Sequence, residues 1–280
     1  MQSIATNRFL IIQNTFINHL MPNLRTPMSL ILGGLSPLFI YLVTTINISG
    51  TQQRFGIISG YLLFAILSGS LTSASSTVAM DKAYGWGSYL QSMPAPQWPR
   101  IIGTNLANLI ITLITIAPMV FAFLFSTPEA SIINAPLLIN AIIPTSVTFI
   151  FLGITIGNAC RPENTAYTST SIYILMATLG GLFSGGGRLS ICPEIVYYSM
   201  PSLWAYRFFS DTINQQSFTM SLFLLIATTG LWSVLIKIVL QLMHTCKVLI
   251  VELHLIWRKT TSADISLRLQ KSHPNSRIIE

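Results

Sequence analysis

Met80-Asp81-Lys82-Ala83-Tyr84-Gly85-Trp86-Gly87-Ser88-Tyr89-Leu90-Gln91-Ser92-Met93-Pro94 lies between two long apolar runs, and its reading decides the fold. It holds charge, aromatics and glycines that neither neighbour has. A link between two membrane helices needs only a few polar residues, and this one is long and patterned. Tyr84 and Trp86 are amphipathic rings suited to a headgroup boundary. Asp81 stands near the start of an expected short helix, where a carboxylate favours the positive end of the dipole. Pro94, Pro96 and Pro99 stop any regular helix before the next apolar run. The plainer reading of the same composition is an interfacial loop with aromatic anchors.

The runs on either side set the class. The chain has 280 residues, 51% hydrophobic and 8% charged, with a mean hydropathy of +0.63. A soluble domain carries about 25% charged residues, so this composition predicts an all-α integral membrane protein. Six stretches reach the about 20 helical residues a bilayer requires: Met28–Ile46, Ile57–Val78, Ile101–Phe125, Leu137–Ile156, Tyr167–Phe183 and Met220–Leu242. Helices are expected throughout, because an open strand edge cannot be left unpaired in lipid.

Basic residues orient these spans. With the N-terminus inside, the inner segments hold Arg8, Arg25, Lys82, Arg100, Arg161, Lys247, Arg258, Lys259, Arg268, Lys271 and Arg277. The outer segments hold only Arg54, Arg188 and Arg207, and Lys237 falls inside the last span, where a long side chain snorkels. Both termini and the Asp81–Pro94 stretch are therefore expected in the cytoplasm. The net charge of +7 is a topology signal and requires no nucleic acid.

Ahead of the first span, residues 1–27 read as an amphipathic interfacial helix. Phe9, Ile12, Phe16 and Leu20 share one face, opposite Asn7, Asn14 and Asn18, with Ile11 spoiling the polar side. Pro22 and Pro27, flanking Arg25, are expected to break it. Residues 28–243 form the six-span domain. Within it Ala65, Gly69, Ser73 and Thr77 make a small-residue stripe suited to close helix packing. Asn105, Asn108 and Asn140 are expected to be buried amides joining helices. After the fifth span, Ser184 and Gly185 lead into a segment with Pro193, Tyr197, Tyr198, Pro201, Trp204, Phe208 and Phe209, read as short helices re-entering the outer leaflet. Residues 244–280 read as a basic cytoplasmic tail. No removable signal peptide is expected at the start.

Catalytic and metal patterns are missing. The three cysteines, Cys160, Cys192 and Cys246, have no ligand spacing, and topology separates Cys192 from the other two. Neither GxxxxGK[ST], GxSxG nor HExxH occurs. None of the six spans holds Asp or Glu, which coupled carriers bury near the midplane. An external motor is the simplest energy source for such a chain.

The pattern resembles the permease subunits of ABC-2 type ABC transporters. Asp81, Lys82, Gly85, Leu90, Pro94 and Gly103 stand where that family has an acid-basic-x-x-Gly stretch, then Leu, Pro and the glycine opening the third span. Thr104 replaces the family's lysine. Ser184-Gly185, Pro193, Pro201 and Tyr206 match its outer layout, with Met200 where Asn is common, and Arg25-Thr26-Pro27 resembles its entry after the connecting helix. The resemblance covers roughly residues 5–243.

It implies a dimeric exporter pore, built with a second copy or a sister permease in a bacterial cell membrane. Separate ATPase subunits would bind ATP and Mg, leaving this chain no enzyme and without a cofactor of its own. Asp81, Lys82, Tyr84, Gly85, Trp86, Tyr89, Leu90 and Pro94 would form a cytoplasmic coupling helix. Ser184, Gly185, Pro193, Pro201 and Tyr206 would form a re-entrant outer gate. The cargo implied is an amphipathic drug, antibiotic, peptide or lipid-like molecule. The competing class is a non-transporting membrane sensor or immunity protein.

Overall fold

The computed structural model describes residues 2–25, 35–45, 51–85, 98–126, 135–184, 187, 192–214 and 216–242, all helix and connection with no strand among them. The helices are α1 (Gln2–Arg25), α2 (Ser36–Thr45), α3 (Thr51–Ala83), α4 (Trp98–Ser126), α5 (Ala135–Ala159), α6 (Pro162–Leu179), α7 (Glu194–Ser199), α8 (Pro201–Ile213) and α9 (Thr219–Leu242). A short 3-10 turn, Leu182–Ser184, follows α6.

Five helices are long and apolar enough to cross a membrane: Gly56–Ala83, Trp98–Ala122, Leu137–Ala159, Pro162–Ser184 and Thr219–Leu242. They coincide with five of the six expected spans. The other, Met28–Ile46, is described only through α2, whose ten residues make about 15 Å of helix, half a bilayer. The chain divides into two units, Met1–Ile236 and Lys237–Glu280. In the second, 237–242 are helical, and the expected tail from 244 lies outside the described residues.

α3 is the hub of the first unit. It packs against α2, α4, α5, α6, α8 and the 3-10 turn, and 89% of its apolar window is buried. Its sequence explains this. On one side lies the stripe Ala65, Gly69, Ser73 and Thr77, and Gly69 abuts Thr112 and Thr115 of α4. On another side α5 closes in through Gly153 and Gly157. A Cβ at Gly153 would lie 2.9 Å from the Leu71 carbonyl, and one at Gly157 2.8 Å from that of Ser75. No larger residue allows that separation, which is the small-residue mode of membrane helix packing.

Several expectations are corrected. α3 does not stop at Val78 but continues to Ala83, because no breaker intervenes before Gly85. Asp81 therefore occupies the last turn of a long helix and not the first turn of a short one. α1 continues through Pro22 to Arg25. It packs along α4 with Ile11, Ile12, Thr15, Phe16, His19 and Leu20 turned inward, so Ile11 belongs to the contact face, whereas Phe9 is exposed. Asn140 is exposed and Asn105 half-buried; of the three amides only Asn108 is buried.

Candidate functional site

The C-terminal end of α3 carries the start of the quoted motif, Met80 to Ala83. Tyr84 N–H donates to the Met80 carbonyl at 3.0 Å and Gly85 N–H to that of Lys82 at 3.1 Å. Gly85 has φ +68°, the left-handed geometry that ends helices and suits glycine. Lys82 Nζ reaches across to α5, donating to the Gly157 carbonyl at 2.9 Å and to that of Asn158. These are orphan carbonyls at a helix C-terminus, where a cation is favourable. Lys82 is thus a latch between two helices, made possible by the close approach at Gly157. His19 of α1 lies near enough to Asp81 to interact electrostatically.

Beyond the latch Tyr84 is 76% exposed. Trp86, Tyr89, Leu90 and Pro94 lie outside the described residues. Cys160, between α5 and α6, is buried. Burial pushes its thiol up from the usual range, while the Thr168 hydroxyl and the Lys82 ammonium pull it part of the way back. Gly103 admits α1: a Cβ there would stand 2.7 Å from the Ile12 carbonyl. The guanidinium of Arg8 covers the Trp98 ring at 5.5 Å.

About two turns before Tyr84, Thr77 Oγ1 donates to Asn108 Oδ1 of α4 at 3.1 Å, in a fully buried contact. Asn108 Nδ2, Asn105 Oδ1, Ser70 Oγ and Ser146 Oγ are buried without a hydrogen-bond partner. The expectation that α4's amides join helices holds at Asn108.

The opposite end of α3 meets the second predicted set. The 3-10 turn lies on α3 so closely that the Leu182 carbonyl occupies the space a Cβ of Gly60 would need. Phe183 packs on Phe64 at 5.0 Å and on Tyr61 at 5.7 Å, and Tyr41 and Tyr173 extend the cluster. The Ser184 hydroxyl lies within hydrogen-bond reach of the carbonyls of Gly181 and Gly187 and donates to one of them. Gly185 lies outside the described residues.

Pro193 precedes α7 and is exposed, whereas Pro201 opens α8 and is buried. Proline at the first helical position has no unsatisfied N–H and a preset φ. Tyr206 is half-buried; burial, then the neighbouring Tyr197, hold its phenol above the usual range, so it stays neutral.

Two contacts escaped sequence reasoning. Ser202 Oγ donates to the Met176 carbonyl of α6 at 2.5 Å, beside Gly180. Trp232 Nε1 of α9 donates to the Ser199 carbonyl at 2.8 Å. Both join residues far apart in sequence, and only the tryptophan, a donor inside an apolar span, gave any signal. Among the described residues no group of three or more His, Cys, Asp or Glu could hold a metal.

No family model, curated protein or solved structure matches the chain. Five apolar helices, one of them the buried hub α3, are those of a helical membrane protein, and its class is set by these helices alone.

Proposed function

We propose that the chain is the transmembrane permease subunit of an ATP-driven exporter, moving an amphipathic substrate outward with separate ATPase subunits that bind ATP and Mg. The observation that carries this reading is the run of α3. Its apolar window is 89% buried, and the helix is packed at one end on the Phe183 cluster, latched at the other by Lys82, and followed at once by an exposed tyrosine. A helix so held transmits a push at its inner end to its outer end. The residues from Tyr84 to Pro94 are the surface on which an ATPase would push.

In this reading residues 28–46 complete a sixth span, both termini are cytoplasmic, and the membrane is a bacterial cell membrane. The pore is a dimer of this chain or of this chain with a sister permease. α7 and α8 re-enter the outer leaflet as the gate. Aromatics dominate interface energetics, so Tyr84, Trp86 and Tyr89 are the docking anchors.

The test is copurification of the chain from native membranes, with mass spectrometry of its partners. An ABC ATPase is expected with the native protein and is lost from Tyr84→Ala/Trp86→Ala, whose expression and membrane insertion stay normal. Absence of any ATPase from the native preparation would return the chain to the sensor or immunity class.

A further inference from the structure

We propose that Arg207, Tyr198 and Trp204 form a binding site for a phosphate-bearing lipid headgroup. The Arg207 guanidinium lies 4.8 Å from the centroid of Trp204 and 5.5 Å from that of Tyr198. Trp204 Nε1 donates to the Tyr198 carbonyl at 2.8 Å, fixing α7 and α8 as one aromatic wall. Helical side chains lean toward their own N-terminus, so Arg207 falls back over Trp204, one turn earlier on α8, and does not extend away.

Both rings lie against the guanidinium carbon and offer it no hydrogen-bond acceptor oxygen. Its five N–H donors lie at the edge, and among the described residues none has a hydrogen bond or ion pair. Asp211, one turn further along α8, does not pair with it. The arginine is held in place by groups that leave its hydrogen-bonding capacity unused. A bidentate oxyanion is the ligand such a fork fits best.

Depth selects a lipid. The Ser199 carbonyl meets Trp232, about 20 Å along α9 from Thr219. Phe208, adjacent to Arg207, meets Phe218 just ahead of α9 at 5.9 Å. The guanidinium thus lies between the entry of an apolar helix and its middle. A cation there is costly unless paired, and Tyr and Trp are the residues of that boundary. Ile195, 85% exposed one turn before Tyr198, offers an apolar neighbour to an acyl chain. The inference rests on α7 and α8 lying at membrane depth and is independent of any ATPase.

The experiment uses the full chain in mild detergent, with native mass spectrometry of lipid retained after adding phosphatidylglycerol or diacylglycerol of the same chains. The native protein is expected to prefer phosphatidylglycerol, and Arg207→Gln to lose that preference about tenfold, the size of one charge-assisted hydrogen bond. Arg207→Lys keeps the charge but loses the planar fork, and should fall between the two. Millimolar inorganic phosphate separates the sources: no displacement of retained lipid identifies the headgroup as the ligand, and displacement identifies free phosphate. Equal preference in the native protein and both variants would overturn the site. If Arg207→Gln does not fold, native-like preference in Arg207→Lys overturns it alone.

Discussion

Single residues show how far the sequence could be read. Gly85 was not read as a helix end: the sequence put it inside a short helix beginning near Asp81, and only its left-handed φ of +68° marks it as the close of α3. Lys82 was not legible either: its acceptors, the carbonyls of Gly157 and Asn158, are backbone groups in a distant helix, and backbone acceptors leave no mark in a sequence. Cys160 carries a testable consequence of the same junction. Burial raises its thiol pKa, so at any pH below that value it holds less thiolate than an exposed cysteine, and thiolate is the reactive form. Alkylation of Cys160 is expected to rise with pH along a curve displaced upward from that of a surface cysteine. Thr168→Val, which removes a hydrogen bond favouring thiolate, should displace it further. Rates measured from pH 7 to 10 check this, and coincident curves would contradict it.

At the scale of elements, the stripe on α3 was read correctly as a packing face, while the matching face on α5 went unnoticed. Gly153 and Gly157 are as regular as the stripe, but a glycine repeat names no partner until two helices are set side by side. Overpacking such a contact costs about 1–3 kcal/mol. Gly157→Ala should therefore lower the thermal midpoint in detergent, since the Ser75 carbonyl and Val78 stand 2.8 Å from the new Cβ. Gly230 on α9 is the control, with nothing within 4 Å of a Cβ. Gly230→Ala should raise the midpoint, because alanine exceeds glycine in helix preference by about 1 kcal/mol. A midpoint unchanged or raised by Gly157→Ala would refute the close packing. The positions of α7 and α8 were less legible than either, because contacts from α6 and α9 fix them, and neither contact follows from local propensity.

For the whole molecule, hydropathy made five helices plain, since length and apolarity are properties of a segment by itself. The order of packing around α3 was not, because it depends on surfaces shared between segments. The basic asymmetry predicts one orientation for all of them. In a cysteine-free background, Ser88→Cys should be shielded from an impermeant reagent in intact cells and labelled after permeabilisation; labelling in intact cells would reverse the topology. The central position of α3 also has a consequence in time. Apart from α2, the partners that bury it are synthesised after it, through α8, a wait of about 130 residues and on the order of 10 s at ribosomal speed. A helix rich in hydroxyls must begin that interval in lipid with only α2, made before it, as a neighbour. Ser68, Thr72, Ser73, Ser75 and Ser76 each donate to a carbonyl three or four residues earlier in α3 itself, and the Thr77 hydroxyl, within reach of both the Ser73 carbonyl and Asn108 Oδ1, has the former while α4 is absent. The nascent helix is therefore self-sufficient in these bonds while it waits, and the later helices assemble around a segment already at home in the bilayer.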